Sequence, residues 1–207
     1  MGIYRDSRVT RRCIIQLTNT LYVFSDNVLI ETLAQIKKRI YNRDFYNRDL
    51  EVRATKILHK IEIDFEKAVE SRLLKVEGIA TKHSLEKIIY TDIVSPNEID
   101  LLVLKANKLF VVECKNFLFK SDYKIIRSEV NRFKGEFSKK LNNKIQFVER
   151  NLAVILSNEF GIKEPNCENY EVEGLFVTNN FSISSSYEGV PYRSLNYTNV
   201  QGFFQQI

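Results

Sequence analysis

Cysteine and histidine are both scarce in this sequence. The three cysteines, Cys13, Cys114 and Cys167, are scattered, odd in number and free of CxxC spacing. They argue against a disulfide framework or a cysteine zinc site, and they fit a reducing, cytoplasmic setting. With only His59 and His83 available, a histidine-rich metal centre is disfavoured too. No apolar run approaches the ~20 residues of a membrane span. The segment CIIQLTNTLYVF is broken by polar residues, and MGIYRDSRVTRR before it lacks a signal-peptide cleavage pattern. A P-loop is missing, so any ATP dependence would come from an ATPase on a separate chain. Internal repeats and low-complexity tracts are also missing.

What remains is an ordinary globular composition of 207 residues, 44% hydrophobic and 28% charged. That length suits one full domain plus an extension. A net charge of +5 leaves two readings open, a polyanionic partner or a lysine-rich solvated surface. Residues 12 to 24 read as one or two short strands. SDNVLIETLAQIKKRIYN then offers Ser25 or Asp26 as an N-cap, with Val28, Leu29, Leu33, Ile36 and Ile40 at helical spacing. A longer helix is expected over roughly 48 to 76, with Ile57, Ile61, Phe65, Val69 and Leu73 on one stripe and Gly78 placed to stop it.

Short β-like runs follow. KIIYTDIV (87 to 94) reads as a strand ending at the turn signal Ser95-Pro96-Asn97. Residues 98 to 104 and 109 to 115 read as a hairpin turning on KANK. Helical character returns from 128 to about 158, as two helices or one bent near Gly135. GIKEPNCEN is a loop, EVEGLFVTN a strand, VPYRS a last short strand, and TNVQGFFQ a closing helix. The mixture predicts an α/β domain with a mixed sheet.

The hairpin carries charges that its apolar strands do not explain. Centring the turn between Ala106 and Asn107 sets Leu104 against Leu109 and Leu102 against Val111. It then sets Asp100 across from Glu113, with Cβ atoms about 4.5 to 5.5 Å apart. Side chains alternate, so Glu113 and Lys115 share a face while Cys114 points away. Two carboxylates and a lysine converge, and like charges directly opposite need an offset. A divalent cation would supply one, because Mg²⁺ is typically held by one or two carboxylates plus phosphate. The bland alternative is a cross-strand pair between Glu98 and Lys115. An acid-x-Lys triplet alone is weak, since roughly two are expected by chance, and Asp122-Tyr123-Lys124 is another.

SPNEID, twelve residues, then ECK resembles the motif of the PD-(D/E)xK nuclease superfamily, the restriction-endonuclease-like fold. EIDLLVLKANKLFVVECKN is most similar to nuclease-related (NERD) domains and to Mrr- or Holliday-junction-resolvase-like members. Pro96 precedes Asp100 by four residues, a spacing the superfamily tolerates. The resemblance spans roughly 48 to 180. It implies a mixed four- to five-stranded sheet flanked by helices, in the order helix, three strands, helix, strand. Residues 1–45 would be an N-terminal extension and 46–207 the nuclease-like domain.

The activity implied is metal-assisted phosphodiester hydrolysis, on DNA before RNA, in bacterial defence or DNA processing. Asp100 and Glu113, with the Cys114 backbone carbonyl, would hold Mg²⁺ or Mn²⁺. Lys115 would orient a water or stabilise developing charge. Glu66, ahead of Ala68-Val69 and Leu73 in the first core helix, would face the site, unless it is only a solvated helix charge. On RFKGEFSKKLNNK, Lys134, Lys139, Lys140 and Lys144 are candidates for nucleic-acid contact, with Lys140 and Lys144 foremost because the resemblance implies a Lys or Gln on this helix near the metal site. Phe110, Phe117 and Phe119 read as packing residues, and Cys114 as a buried apolar side chain without a local base. A catalytically inactive nucleic-acid-binding or scaffolding module of the same fold is the alternative. A homodimer is compatible with either.

Overall fold

A computed structural model describes residues 15–16, 18, 20, 22–23, 26–42, 48–85, 97–117, 123–180, 182 and 185–207. The chain divides into two compact units, Met1–Lys60 and Ile61–Ile207. In the first, β1 (Ile15–Gln16) pairs antiparallel with β2 (Tyr22–Val23), and α1 (Asp26–Asn42) follows. Helix α2 (Arg48–Leu73) begins there. The expected stripe fails in this half of α2: Ile57 is exposed, whereas Ala54 and Leu58 are buried. On α1, Leu33 and Ile36 are exposed as well. Helical spacing puts apolar residues on one face but does not dictate that the face is covered.

The second unit is built on a five-stranded mixed sheet. Its strands are β3 (Ile79–Leu85), β4 (Ile99–Lys105), β5 (Lys108–Lys115), β6 (Glu171–Thr178) and β7 (Arg193–Asn196), in that spatial order. β4 is antiparallel to both its neighbours, β3 and β5; β5, β6 and β7 run parallel. The hairpin register is the expected one, with Leu104 opposite Leu109 and Leu102 opposite Val111. The strand expected at 87–94 lies outside the described residues. It is IATKHSL, at 79–85, that pairs with β4. Gly78, with φ +71, turns the chain into β3 rather than capping α2, which ends at Leu73.

Between β5 and β6 run α3 (Tyr123–Arg132), a π turn (Phe133–Phe137), α4 (Ser138–Arg150) and α5 (Leu152–Phe160). The bend expected near Gly135 is thus a π turn. The buried Ser138 hydroxyl donates to the Phe133 carbonyl, which satisfies a backbone acceptor where the ladder changes pitch. Gly161, at φ +68, ends α5 in the left-handed cap typical of helix C-termini. Helix α6 (Val200–Gln205) closes the chain.

Two apolar layers sandwich the sheet. On one side Leu102, Leu109, Val111 and Phe176 pack against Phe133, Leu141, Ile145, Val148 and Ile155 from the π turn, α4 and α5. On the other, Leu101, Val103, Phe110, Val112 and Leu175 meet Val69 and Leu73 of α2 and Phe204 of α6. The strand alternation that creates these layers breaks at one place. Ile99 belongs to the α4 layer and Leu101 to the α2 layer, although residues two apart on a strand share a face. The break falls at Asp100. On β3 the register passes from His83–Leu101 to Leu85–Ile99 without a Ser84–Asp100 pair. Ser84 there has φ +49, a conformation worth of order 1–3 kcal/mol of strain that clusters at functional sites.

Candidate active site

Asp100, Glu113 and Lys115 gather where β4 and β5 part. The paired ladder runs from Lys105–Lys108 to Leu101–Val112 and ends one pair short of Asp100–Glu113. In place of a backbone carbonyl, Asp100 Oδ2 accepts the Cys114 N–H at 2.8 Å. The Cys114 carbonyl points to that side too, since a strand residue directs both its groups to one neighbour. Glu113 shares its strand face with Lys115, whose Nζ lies 2.5 Å from Glu113 Oε1. Lys115 thus finds its acid partner on its own strand, and beyond it Asn179 takes over from the strand ladder by accepting the Phe117 N–H at 2.8 Å.

Lys144 enters from α4. It is one of the expected nucleic-acid contacts, on a helix where the resemblance implies a Lys or Gln near the metal site, and it is only 3% exposed. Its ammonium donates to Asp100 Oδ1 at 3.2 Å and to Glu113 Oε2. The missed signal is positional: Lys144 stands on the stripe of Phe137, Leu141, Ile145 and Val148, the buried face of α4 and the turn before it. Gly174 lets that face come close. A Cβ there would lie 2.5 Å from Ile145 Cδ1 and 2.9 Å from the Tyr192 ring.

Glu66 arrives from α2, in the opposite layer, and is buried. Its Oε2 lies 3.3 Å from His83 Nε2, yet it makes no hydrogen bond among the described residues. One turn on, Glu70 accepts the Thr81 hydroxyl at 3.0 Å, so two α2 carboxylates meet alternate residues of β3. The sequence shows His83 but does not place it at the site, because its strand is polar and half-buried.

The electrostatics follow from this crowding. Burial pushes the Asp100 carboxyl up, and the Glu113 charge adds to it against Lys144 and Lys115. Burial also raises Glu113, but Lys115 and Lys144 together bring it below the usual range. Both ammonium groups are favoured by the acids around them, which outweigh their own desolvation. Glu66 is lifted from 4.5 to about 8, first by burial and then by the charges of Asp100, Glu98 and Glu62. Burial drives the Cys114 thiol well above its ordinary value, so it is no nucleophile.

Among the described residues no three Asp, Glu, His or Cys side chains are gathered tightly enough to hold a metal ion by themselves. The donor set still suits Mg²⁺, which uses one or two carboxylates and fills its shell with water and phosphate oxygens. Glu66 Oε2, buried and without a hydrogen bond, adds an unsatisfied oxygen acceptor near this set.

Of the other named residues, Lys134, Lys139 and Lys140 are exposed on the π turn and α4. Lys140 is held by Glu136 at 2.8 Å, and Lys134 lies 4.8 Å from the centre of the Tyr187 ring. Phe110 is in the core, Phe117 packs on Phe133 at 5.7 Å, and Phe119 lies outside the described residues.

The class defined here is an α/β core with acids and lysines drawn together at the break between two central strands. Within it, the chain belongs to the nuclease-related domain (NERD) family: the family model matches residues 61–179. Among solved structures, the small subunit of a heterodimeric restriction endonuclease is similar, at 12% identity and TM-score 0.34, over 71% of this chain and 77% of its own. No curated protein matches the chain. Among the described residues no helix is long and apolar enough to cross a membrane.

Proposed function

We propose that this chain is a divalent-metal-dependent nuclease that hydrolyses phosphodiester bonds of DNA, in cytoplasmic defence or DNA processing. Residues 46–207 form its catalytic domain and residues 1–45 an extension. The reading rests on one observation: two buried carboxylates, Asp100 and Glu113, meet two lysines where a strand ladder opens. Membership of the nuclease-related family supports it.

Asp100 and Glu113, with the Cys114 carbonyl, are the residues to hold Mg²⁺ or Mn²⁺. Such an ion, when bound, polarises a scissile phosphate and acidifies a water. Lys115, fixed by Glu113, stabilises negative charge building on the phosphoryl oxygens. Glu66 takes or delivers a proton beside Asp100. Lys134, Lys139 and Lys140 contact the phosphate backbone.

The test is cleavage of plasmid, linear duplex, single-stranded DNA and RNA in Mg²⁺, Mn²⁺ or EDTA. Cleavage is expected on DNA with metal only, and Glu113→Ala or Lys115→Ala should each lose about 10²-fold or more. Equal rates in EDTA, or in the variants, would sink the proposal.

A second reading has its own observation. Every Asp100 and Glu113 oxygen already meets an N–H or ammonium donor, as a retired site turned binding module would have. That reading predicts nucleic-acid binding unchanged by EDTA and by Glu113→Ala, with no cleavage in any metal.

A further inference from the structure

Lys144 does something a surface lysine would not. Its ammonium spans the two carboxylates, touching Asp100 Oδ1 and Glu113 Oε2. The remaining oxygens are taken elsewhere: Asp100 Oδ2 by the Cys114 N–H and Glu113 Oε1 by Lys115. One monovalent cation shared by two opposed acids offsets part of the charge that a divalent ion would offset in full. It also keeps both pointing at a common position. Lys115 is different, since among the described residues its bond runs only to Glu113, on its own strand.

The tether is firm. Leu141 is wholly buried and Ile145 nearly so, while Gly174 removes the side chain that would hold α4 off the sheet. Lys144 is therefore delivered by packing and not by chance rotation of a solvated chain.

We infer that Lys144 is a positioning residue that occupies the cation's place: it holds Asp100 and Glu113 converged, and it must withdraw when Mg²⁺ or Mn²⁺ binds. This rests on the metal-dependent reading above. It has a consequence for affinity, because entry of the ion requires an internal competitor to leave its partners. Removing that competitor should tighten metal binding even where it harms turnover.

The experiment is direct binding of Mn²⁺ to the full-length protein, followed by electron paramagnetic resonance of the free ion, with Mg²⁺ as competitor. No nucleic acid is present. The variants are Lys144→Gln, Lys115→Gln and Asp100→Asn. Lys144→Gln should bind Mn²⁺ about tenfold or more tightly than wild type. Lys115→Gln removes the same unit charge from beside Glu113 without vacating the place between the two acids, so its smaller gain separates the effect of displacement from that of charge. Asp100→Asn should abolish binding.

Wild-type binding with no gain in Lys144→Gln, or with equal gains in both lysine variants, overturns this inference and leaves the nuclease reading standing. Absence of binding in wild type and Lys144→Gln alike overturns both. A crystal of the wild-type protein soaked in Mn²⁺ gives a check that needs no variant to fold. An anomalous peak between Asp100 and Glu113 with Lys144 swung away supports the displacement, and Lys144 still bridging both acids beside a bound ion overturns it.

Discussion

Glu66 sits where burial and three neighbouring acids all oppose its ionised form, and that makes it a reporter of the site. Its carboxyl is protonated in the folded chain up to about pH 8, against 4.5 for the ordinary group. Between those values the native state carries one more proton than the unfolded chain. Stability therefore falls as pH rises through that window, and the loss is complete above it. Glu66→Gln removes the titration. Its melting temperature in EDTA should match wild type near pH 4.5 and exceed it increasingly towards pH 8.5, as read by circular dichroism. A constant offset across that range would show that Glu66 ionises normally. The sequence could nominate Glu66 because it stands in a recognisable helix pattern. It could not reveal the burial, because nothing local shows that β3 brings His83 within 3.3 Å. Lys144 could be nominated through the resemblance as well, but its burial could not be read. A lysine among lysines reads as a surface charge until the phase of its helix is known.

Elements place these residues, and here the hairpin and the helices differ in how plainly they could be read. The two-residue turn sets the register here, because the flanking strands are apolar on both faces and offer no alternation to choose one. That is why the Leu104–Leu109 and Leu102–Val111 pairs could be stated from the sequence. β3 was missed because IATKHSL is half polar, and its Thr81 and His83 are accommodated by Glu70 and Glu66 rather than by an apolar neighbour. The π turn has no periodic signature of its own beyond the Phe133–Phe137 pair it buries. The seating of α4 on the sheet is the step that can be tested separately. Gly174→Ala puts a methyl into space held by Ile145 and Tyr192. Overpacking of this kind costs about 1–3 kcal/mol, measurable by urea unfolding. Pairing it with Ile145→Val, which withdraws the clashing methyl, should recover much of that loss. An additive double variant would mean that Tyr192, not α4, sets the constraint.

At the scale of the whole molecule, the +5 net charge matters only if cations are arranged where a polyanion can use them. Two of the exposed candidates differ in a way that can be measured. Lys140 is already engaged by Glu136, which also draws on Arg132 at 3.5 Å, so contact with phosphate must compete with an existing pair. Lys134 lies against the Tyr187 ring, a contact that leaves its charge uncompensated. Phosphate contacts release condensed counterions, and log K falls with log salt by about 0.9 per contact on duplex DNA. Binding of the Asp100→Asn protein to labelled duplex, followed by fluorescence anisotropy from about 50 to about 200 mM salt, reads that slope without cleavage. Lys134→Gln and Lys139→Gln should each flatten it by about one unit. Lys140→Gln should flatten it less, because Glu136 already offsets part of the Lys140 charge. Slopes unchanged in all three variants would move the nucleic-acid surface away from α4, even if cleavage at Asp100 and Glu113 is established.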